Sequence, residues 1–389
     1  MSTLQQTYPL SYWEREVFFK DIDVIIIGSG IVGLSAALSL KEKAPKLKVV
    51  VLERGSLPIG ASTRNAGFAC FGSMTELLDD LESRPEQEVW GLVERRWQGL
   101  ARLRKRIGDE VMRYEEVGGF ELFRPGEEAA FEKCLENRQV FNQRLKEITG
   151  HPEVFKAEDR QINNFGFKGV KHLIENQVEG VIHTGKMMEA LLKKSREAGI
   201  QLFNGVGVET LELNEPGVRL KTEQGWSINA QQVLVATNGF AATMLPELAV
   251  KPARNQVIIT HPLQGLPFRG GFHYDRGYIY FREIDGRVLL GGGRHLDLNG
   301  ESTTDFGETD LIQEHLLRLL NEVILPGRSV SIDQTWSGIM GVGQEKAPIL
   351  KRLNEGVVVA VRLGGMGVAI GSLVGEEAAE MVIGGESDV

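Results

Sequence analysis

Four runs of β-branched and apolar residues, Val24 to Ile27, Lys48 to Leu52, Val233 to Ala236 and Val357 to Val361, contain almost no polar interruption. Such runs predict strands buried on both faces of a parallel sheet. Elsewhere the spacing is helical. Leu34 to Leu40 is apolar and alanine-rich, and Val368 to Val382 follows the last buried strand in the same way. Met74 to Ile107 repeats Leu77, Leu78, Leu81, Val89, Leu92, Trp97, Leu100 and Leu103 at helical intervals, broken at Pro85. Glu127 to Ile148 and Thr309 to Val323 read as amphipathic helices. Thr184 and Gly199 are placed to cap another.

Between these lie alternating segments. Ile200 to Phe203, Val206 to Leu213, Val218 to Thr222 and Trp226 to Asn229 predict a strand meander, and Gly119 to Phe123 a single strand. Asn255 to Thr260, Gly277 to Arg282 and Arg287 to Gly291 predict antiparallel strands, the last two joined by a hairpin at Asp285-Gly286. Gly55 to Ser73 is rich in glycine, serine and alanine and reads as an extended loop.

The chain is therefore expected to be α/β, with two domains, since 389 residues exceed one ordinary core. Residues 1–75, 176–248 and 329–389 form a Rossmann-like domain. An α+β domain built on an antiparallel sheet, residues 76–175 and 249–328, is inserted into it.

Gly28, Gly30 and Gly33 stand at G-x-G-x-x-G spacing between the first buried strand and the first helix. Gly28 permits the tight turn, Gly30 lets backbone approach a pyrophosphate, and Gly33 lets helix and strand pack closely. Ile31 and Val32 open the helix, whose N-terminal amides favour an anion. Glu53 ends the second strand about 20 residues beyond the last glycine, where a carboxylate accepts the hydroxyls of a ribose, with Arg54 beside it. That acid repels a 2′-phosphate, leaving FAD or NAD. Gly364-Gly365-Met366-Gly367 heads a second helix, at Val368, in the same manner.

A formal net charge of −9 argues against a sequence-independent grip on nucleic acid. Cys70 and Cys134 form no C-x-x-C pair, and the seven histidines lack metal-ligand spacing. Cys70 reads as a small core residue. The first residues carry no signal-peptide pattern and no stretch reads as a membrane span, so a cytoplasmic location is expected. Trp13, Val17, Phe18 and Phe19 are expected to pack on a sheet edge.

These motifs resemble those of the D-amino-acid oxidase superfamily of FAD-dependent oxidoreductases, with the glycine oxidase, D-amino-acid dehydrogenase and γ-glutamylputrescine oxidase types nearest. The resemblance covers nearly the whole chain. Besides the first glycine motif and Glu53, it rests on Gly60-Ala61-Ser62-Thr63-Arg64-Asn65-Ala66-Gly67, similar to a GASGRNGG loop with Thr63 and Ala66 in place of glycines. It rests also on Ala236-Thr237-Asn238-Gly239, like an ATNG turn, and on the terminal GGxGV at Gly364 to Val368. The resemblance implies that FAD contacts these segments, with Val208 at the adenine, Gly338 nearby and the last helix facing the flavin's pyrimidine edge.

The same resemblance implies oxidation of a C–N bond by hydride transfer to flavin N5. The substrate would be an amine, a glycine or D-amino acid, or an N-substituted glycine. Oxygen or an electron carrier would serve as acceptor. Trp336 to Gly341 lacks the arginine that relatives use for a carboxylate, and Leu289 stands where a lysine assists oxygen reduction in sarcosine oxidases. Neither histidine nor cysteine occupies a covalent-attachment position, so FAD is expected to bind without a covalent link. Arg282 is the first candidate for a substrate carboxylate, against a sheet-edge ion pair with Glu283 or Asp285. Tyr280 is a candidate phenol donor at the pocket, and Arg254 and Arg294 are further candidates. The competing readings are an NAD-dependent dehydrogenase and a flavin-binding protein without catalysis.

Overall fold

The computed structural model describes residues 8–213 and 217–384. After the short helical segments Tyr12–Glu14 and Arg15–Phe19, the main elements in chain order are β1 (Ile22–Ile27), α1 (Ile31–Lys43), β2 (Val49–Glu53), α2 (Met74–Ser83) and α3 (Glu86–Ile107). Next come β3 (Gly119–Phe123), α4 (Glu128–Thr149), β4 (His172–Asn176), α5 (Thr184–Glu197), β5 (Gln201–Asn204) and β6 (Ser227–Val235). Then follow β7 (Lys251–Thr260), β8 (Gly271–Tyr274), β9 (Ile279–Ile284), β10 (Arg287–Gly292) and α6 (Asp310–Leu319). The last are β11 (Ile332–Val342), β12 (Ile349–Asn354), β13 (Val357–Val361) and α7 (Gly367–Val382).

Packing divides the chain into two units, one of Met1–Thr63, Gly185–Pro252 and Met340–Val389, the other of Arg64–Thr184 and Ala253–Ile339. Residues 64–75, 176–184 and 329–339 thus pack with the inserted unit rather than the first. Pairing explains it: Phe68–Ala69 joins Gly180–Val181, and β11 joins the second sheet.

The sheet of the first unit has the order β12-β13-β6-β1-β2-β5. β13, β6, β1, β2 and β5 run parallel, and β12 closes one edge antiparallel. Every residue of β2 and β13 is buried, as a sheet covered on both faces requires. The two segments read as Trp226 to Asn229 and Val233 to Ala236 are one strand, β6. Its first half pairs with Val218–Thr222 in the meander and its second half with β1. The chain leaves β1 through α1 to β2 on one side, while β6 lies on the other. The topological switch point therefore falls between the C-terminal ends of β1 and β6, where open α/β sheets take their ligands.

Near the N-terminus, Phe18 and Phe19 meet Phe203 on the edge strand β5, whereas Trp13 and Val17 are exposed. The expected apolar face is thus only half used.

In the second unit the order is β11-β7-β10-β9-β8-β3-β4, with Phe155–Ala157 at the edge. Alternation along the strands sends Ile258, Phe272, Phe281 and Leu290 into a core shared with Ile312 and Leu316 of α6. Phe272 and Phe281 stack at 4.8 Å. The opposite face carries Val257, Leu289, Tyr280 and Ile259. Asp285 and Gly286 both adopt positive φ, the geometry of a two-residue hairpin. Pro85 separates α2 from α3, and Ser73 and Glu76 form a capping box at the start of α2.

Two local expectations need correction. Gly55 to Ser73 is not loop throughout, since Ala61–Arg64 makes a helical turn and Phe68–Ala69 a short strand. Thr184 does not cap α5 but is its first residue, and its hydroxyl donates to Asn65 Oδ1 at 2.9 Å.

Candidate cofactor site and the inserted sheet face

In the first unit, the turn after β1 brings the first glycines together. Gly28 has φ of +104°, and a Cβ on Gly33 would stand 2.0 Å from the Gly28 carbonyl oxygen. No side chain fits between turn and helix. Gly30 occupies the N-cap of α1 and contributes no side-chain cap. Ile31 N–H instead donates to Ser62 Oγ at 3.0 Å, so the Ala61–Arg64 turn reaches the phosphate end of the helix.

Glu53 is buried at the end of β2. One oxygen accepts from Ser29 N (3.2 Å) and Ser29 Oγ (2.9 Å), and the other accepts from Gly55 N (3.0 Å). These three donors orient the carboxylate and balance part of its charge, and lone pairs remain for hydroxyls. Arg54 stacks over Phe240 at 3.8 Å. Val208 is half-buried at the start of Val208–Leu213.

The glycine turn at the other end of the unit is tied to the ATNG turn. Asn238, at φ of +47°, accepts from Arg362 N (3.1 Å) and Leu363 N (3.2 Å) through Oδ1. Arg362 itself has φ of +64°, and its guanidinium donates to Ala347 O and Ala249 O and pairs with Glu345. This clamp sets the direction in which Gly364 and Gly365 enter α7. Met366 at the N-cap gives α7 no side-chain cap. Sequence spacing flagged Asn238 but not Arg362, because a lone arginine after a buried strand carries no periodic signal.

The helices α1 and α7 pack side by side and parallel. A Cβ on Gly371 would meet Ile31 at 2.9 Å, and one on Gly375 would meet Val32 O at 2.6 Å. Ser35 and Ser372 share a hydrogen bond at 3.0 Å, and Lys43 pairs with Glu380 at the far end. The matched order along both helices places their N-termini at the same end. Two positive dipole ends thus face the C-terminal edge of the sheet together.

Whether a dinucleotide fits can be judged on the residues present. Thr237 Oγ1, just past β6 at the switch point, is buried and has no hydrogen-bond partner. A buried hydroxyl in that state calls for a partner. With Glu53 oriented, Gly28 and Gly30 bare and neither Gly30 nor Met366 capping its helix with a side chain, the residues fit FAD. The Glu53 carboxylate would hold the ribose hydroxyls, α1 the pyrophosphate and α7 the electron-rich edge of the flavin.

The second unit contains the rest of the loop. Arg64 donates to Ser337 O at 2.9 Å and lies over Phe306, while Trp336 Nε1 donates to Arg64 O at 3.0 Å. Gly338 abuts the Arg64 side chain. Asn65 Oδ1 accepts from Gly67 N at 2.9 Å, and Ala66 is buried against Val257 and Leu289. Arg64 and Asn65 therefore hold backbone.

On the sheet face, Tyr280 lies across Gly291 of β10, and Phe68 packs near both Tyr280 and His273. Burial pushes the Tyr280 phenol up and the His273 imidazole down, so both stay neutral near pH 7. His273 lies opposite Tyr280 in the β8–β9 pairing. Sequence reading passed over it because its strand, β8, was not recognised.

Arg282 forms neither expected ion pair through its hydrogen bonds. Its Nη1 donates to Ile182 O (2.8 Å) and Gly67 O (3.1 Å), and its Nε donates to Glu283 O (3.0 Å). It fastens the loop at Gly67 to the sheet, and burial lowers its pKa to about 10. Arg254 is held by Glu301 through two bonds, at 3.0 and 2.8 Å, and Arg294 lies over Tyr278. Burial raises the Cys70 thiol well above its ordinary value, which suits a core residue.

The model of the DAO family, described as FAD dependent oxidoreductase, matches residues 23–381. The chain is 22% identical over 393 residues to a probable oxidoreductase, OrdL, of Haemophilus influenzae, with 93% of this chain and 83% of that protein covered. Among solved structures, glycine oxidase from Geobacillus kaustophilus has a TM-score of 0.75 at 20% identity, covering 93% of this chain and 94% of its own. Iminodiacetate oxidase from Chelativorans sp. BNC1 has a TM-score of 0.74 at 22% identity, covering 94% and 96%. These likenesses show a shared fold, and the family match extends over both glycine-headed helices, α1 and α7. The chain belongs to the DAO family of FAD-dependent oxidoreductases.

Proposed function

We propose that this enzyme oxidises the C–N bond of a small amine, either an amino acid or an N-substituted glycine, to an imine that water hydrolyses to an oxo product. FAD, when bound, supplies the acceptor for the hydride at N5. The observation that carries the reading is the parallel pair α1 and α7, which brings two helix N-termini, neither capped by the side chain of its own N-cap residue, to one sheet edge. A negative charge developing on an electron acceptor is stabilised there before the reaction starts. The substrate class is supported by the named activities of glycine oxidase and iminodiacetate oxidase.

The protein's part is to bind and orient. Gly28, Gly30, Ile31, Val32, Gly33, Glu53 and Arg54 hold the nucleotide half without a covalent bond. Ala61, Ser62, Ala236, Thr237, Gly239 and Gly364 to Val368 line the remainder. Tyr280, kept protonated by burial, donates a hydrogen bond to the substrate. His273 is a weakened base for the same reason, so the amine must arrive deprotonated. Its rate of oxidation rises with pH until the amine's own pKa is passed. Oxygen or an electron carrier then takes the electrons, in the cytoplasm.

The test is anaerobic mixing with glycine, sarcosine, D-alanine, L-proline and iminodiacetate, followed by admission of air. Bleaching by at least one, with colour returning in air or with an added carrier, is expected. A flavin that no amine bleaches would leave a binding protein without this activity.

A further inference from the structure

Arg282 has a donor left over. Its Nε and Nη1 are spent on carbonyl oxygens, whereas Nη2 makes no hydrogen bond to a described residue and is not sealed from solvent. The side chain is only 5% exposed. It lines a cleft of about 440 Å³ within the second unit, a volume suited to a small molecule.

The other two arginines around this cleft are paired. Arg113 pairs with Asp285 at 2.9 Å and Arg269 with Glu115, while the Glu283 carboxylate accepts from Gly286 N at 2.7 Å and acts on Arg282 only through space. Arg282 alone among these cations has only neutral hydrogen-bond partners, and nearby carboxylates act on it through space. Burial disfavours its charge, so an anion seated on it would relieve that cost. Leu263, Leu266 and Phe268 give the same cleft apolar lining. The acids at the rim repel a ligand carrying more than one negative charge.

We propose that this cleft binds a small organic monocarboxylate, with a carboxylate oxygen on Arg282 Nη2 and an aliphatic body against Leu263 and Leu266. The site is independent of the flavin reading, which is tested by colour and bleaching. The cleft is tested by calorimetric titration of the intact protein with 4-methylpentanoate, 4-methylpentan-1-ol and inorganic phosphate.

The carboxylate is expected to saturate one site, with the alcohol and phosphate weaker by about tenfold or more, the loss expected for a charge-assisted hydrogen bond. Leu266→Asp puts a negative charge on the wall and should weaken the carboxylate by about tenfold, with circular dichroism confirming the fold. Arg282→Lys removes Nη2 and should do the same; if it does not fold, Leu266→Asp carries the test. Equal binding of acid and alcohol, undiminished binding to Leu266→Asp, or no saturable heat would overturn the proposal.

Discussion

The two units use their residues in opposite ways. In the first, chemistry is offered by backbone: bare glycines, two helix N-termini, a turn held by Asn238, with the buried Glu53 carboxylate oriented by Ser29 and Gly55. In the second, it is offered by side chains on a sheet face, and most charged groups there are consumed in holding the fold. Arg254 is spent on Glu301, Arg64 on Ser337, and two of the three guanidinium nitrogens of Arg282 on carbonyls. A backbone site tolerates almost no added atoms. A side-chain site tolerates substitution according to which bonds each group has left.

The largest effect should follow from filling the backbone site. Gly33→Ala sets a methyl 2.0 Å from the Gly28 carbonyl, so the turn must open, and bound flavin should be lost. Gly375→Val should cost about 3 kcal/mol through overpacking of α1 on α7. Flavin content and chemical denaturation read both. If either variant retains full flavin and stability, the contrast between the units fails.

Glu53→Ala should lower FAD affinity by roughly 100-fold, the scale of two hydrogen bonds to a charged group, read by fluorescence titration. Glu53→Gln keeps one of the two acceptor oxygens and should fall between.

In the second unit the sharpest expectation concerns pH. Burial raises Glu179 to about 8 and Glu121 to about 7, well above their ordinary value of 4.5. Carboxyls raised in this way favour the folded state while protonated. Their contribution is complete below about pH 4.5 and is lost as pH rises through about 7 to 8. Unfolding free energy should fall over that window by up to about 1.4 kcal/mol per pH unit for each group. Glu179→Gln should flatten the fall, and an unchanged slope would show that Glu179 is already ionised. The smallest effect is expected for Asn238→Ala, about 2 kcal/mol from two lost bonds and a strained φ, with Asn238→Gly recovering part of it.

The same contrast explains what could be read in the sequence. Gly28, Gly30, Gly33 and Glu53 serve a site made of backbone, so their spacing along one βαβ unit located it. The terminal glycines did likewise for α7, and its partner α1 was visible, although the small residues that let them touch, Ser35, Gly371 and Gly375, passed as ordinary helix. The second unit was less legible because its side-chain partners are distant in sequence. Arg282 meets Gly67 and Ile182 through tertiary packing, which no local pattern encodes, and its expected ion pairs gave way to carbonyls. His273 went unseen with its strand, whose four residues are too few to show alternation against flanking glycine and aspartate.

The first unit is expected to bind FAD on its paired helices. The most direct measurement is the visible spectrum of the purified chain, before and after addition of FAD and again after denaturation. A yellow protein that releases its flavin on denaturation, together with a Gly33→Ala variant that takes up none, is the predicted result. A colourless protein that binds no added FAD would contradict it.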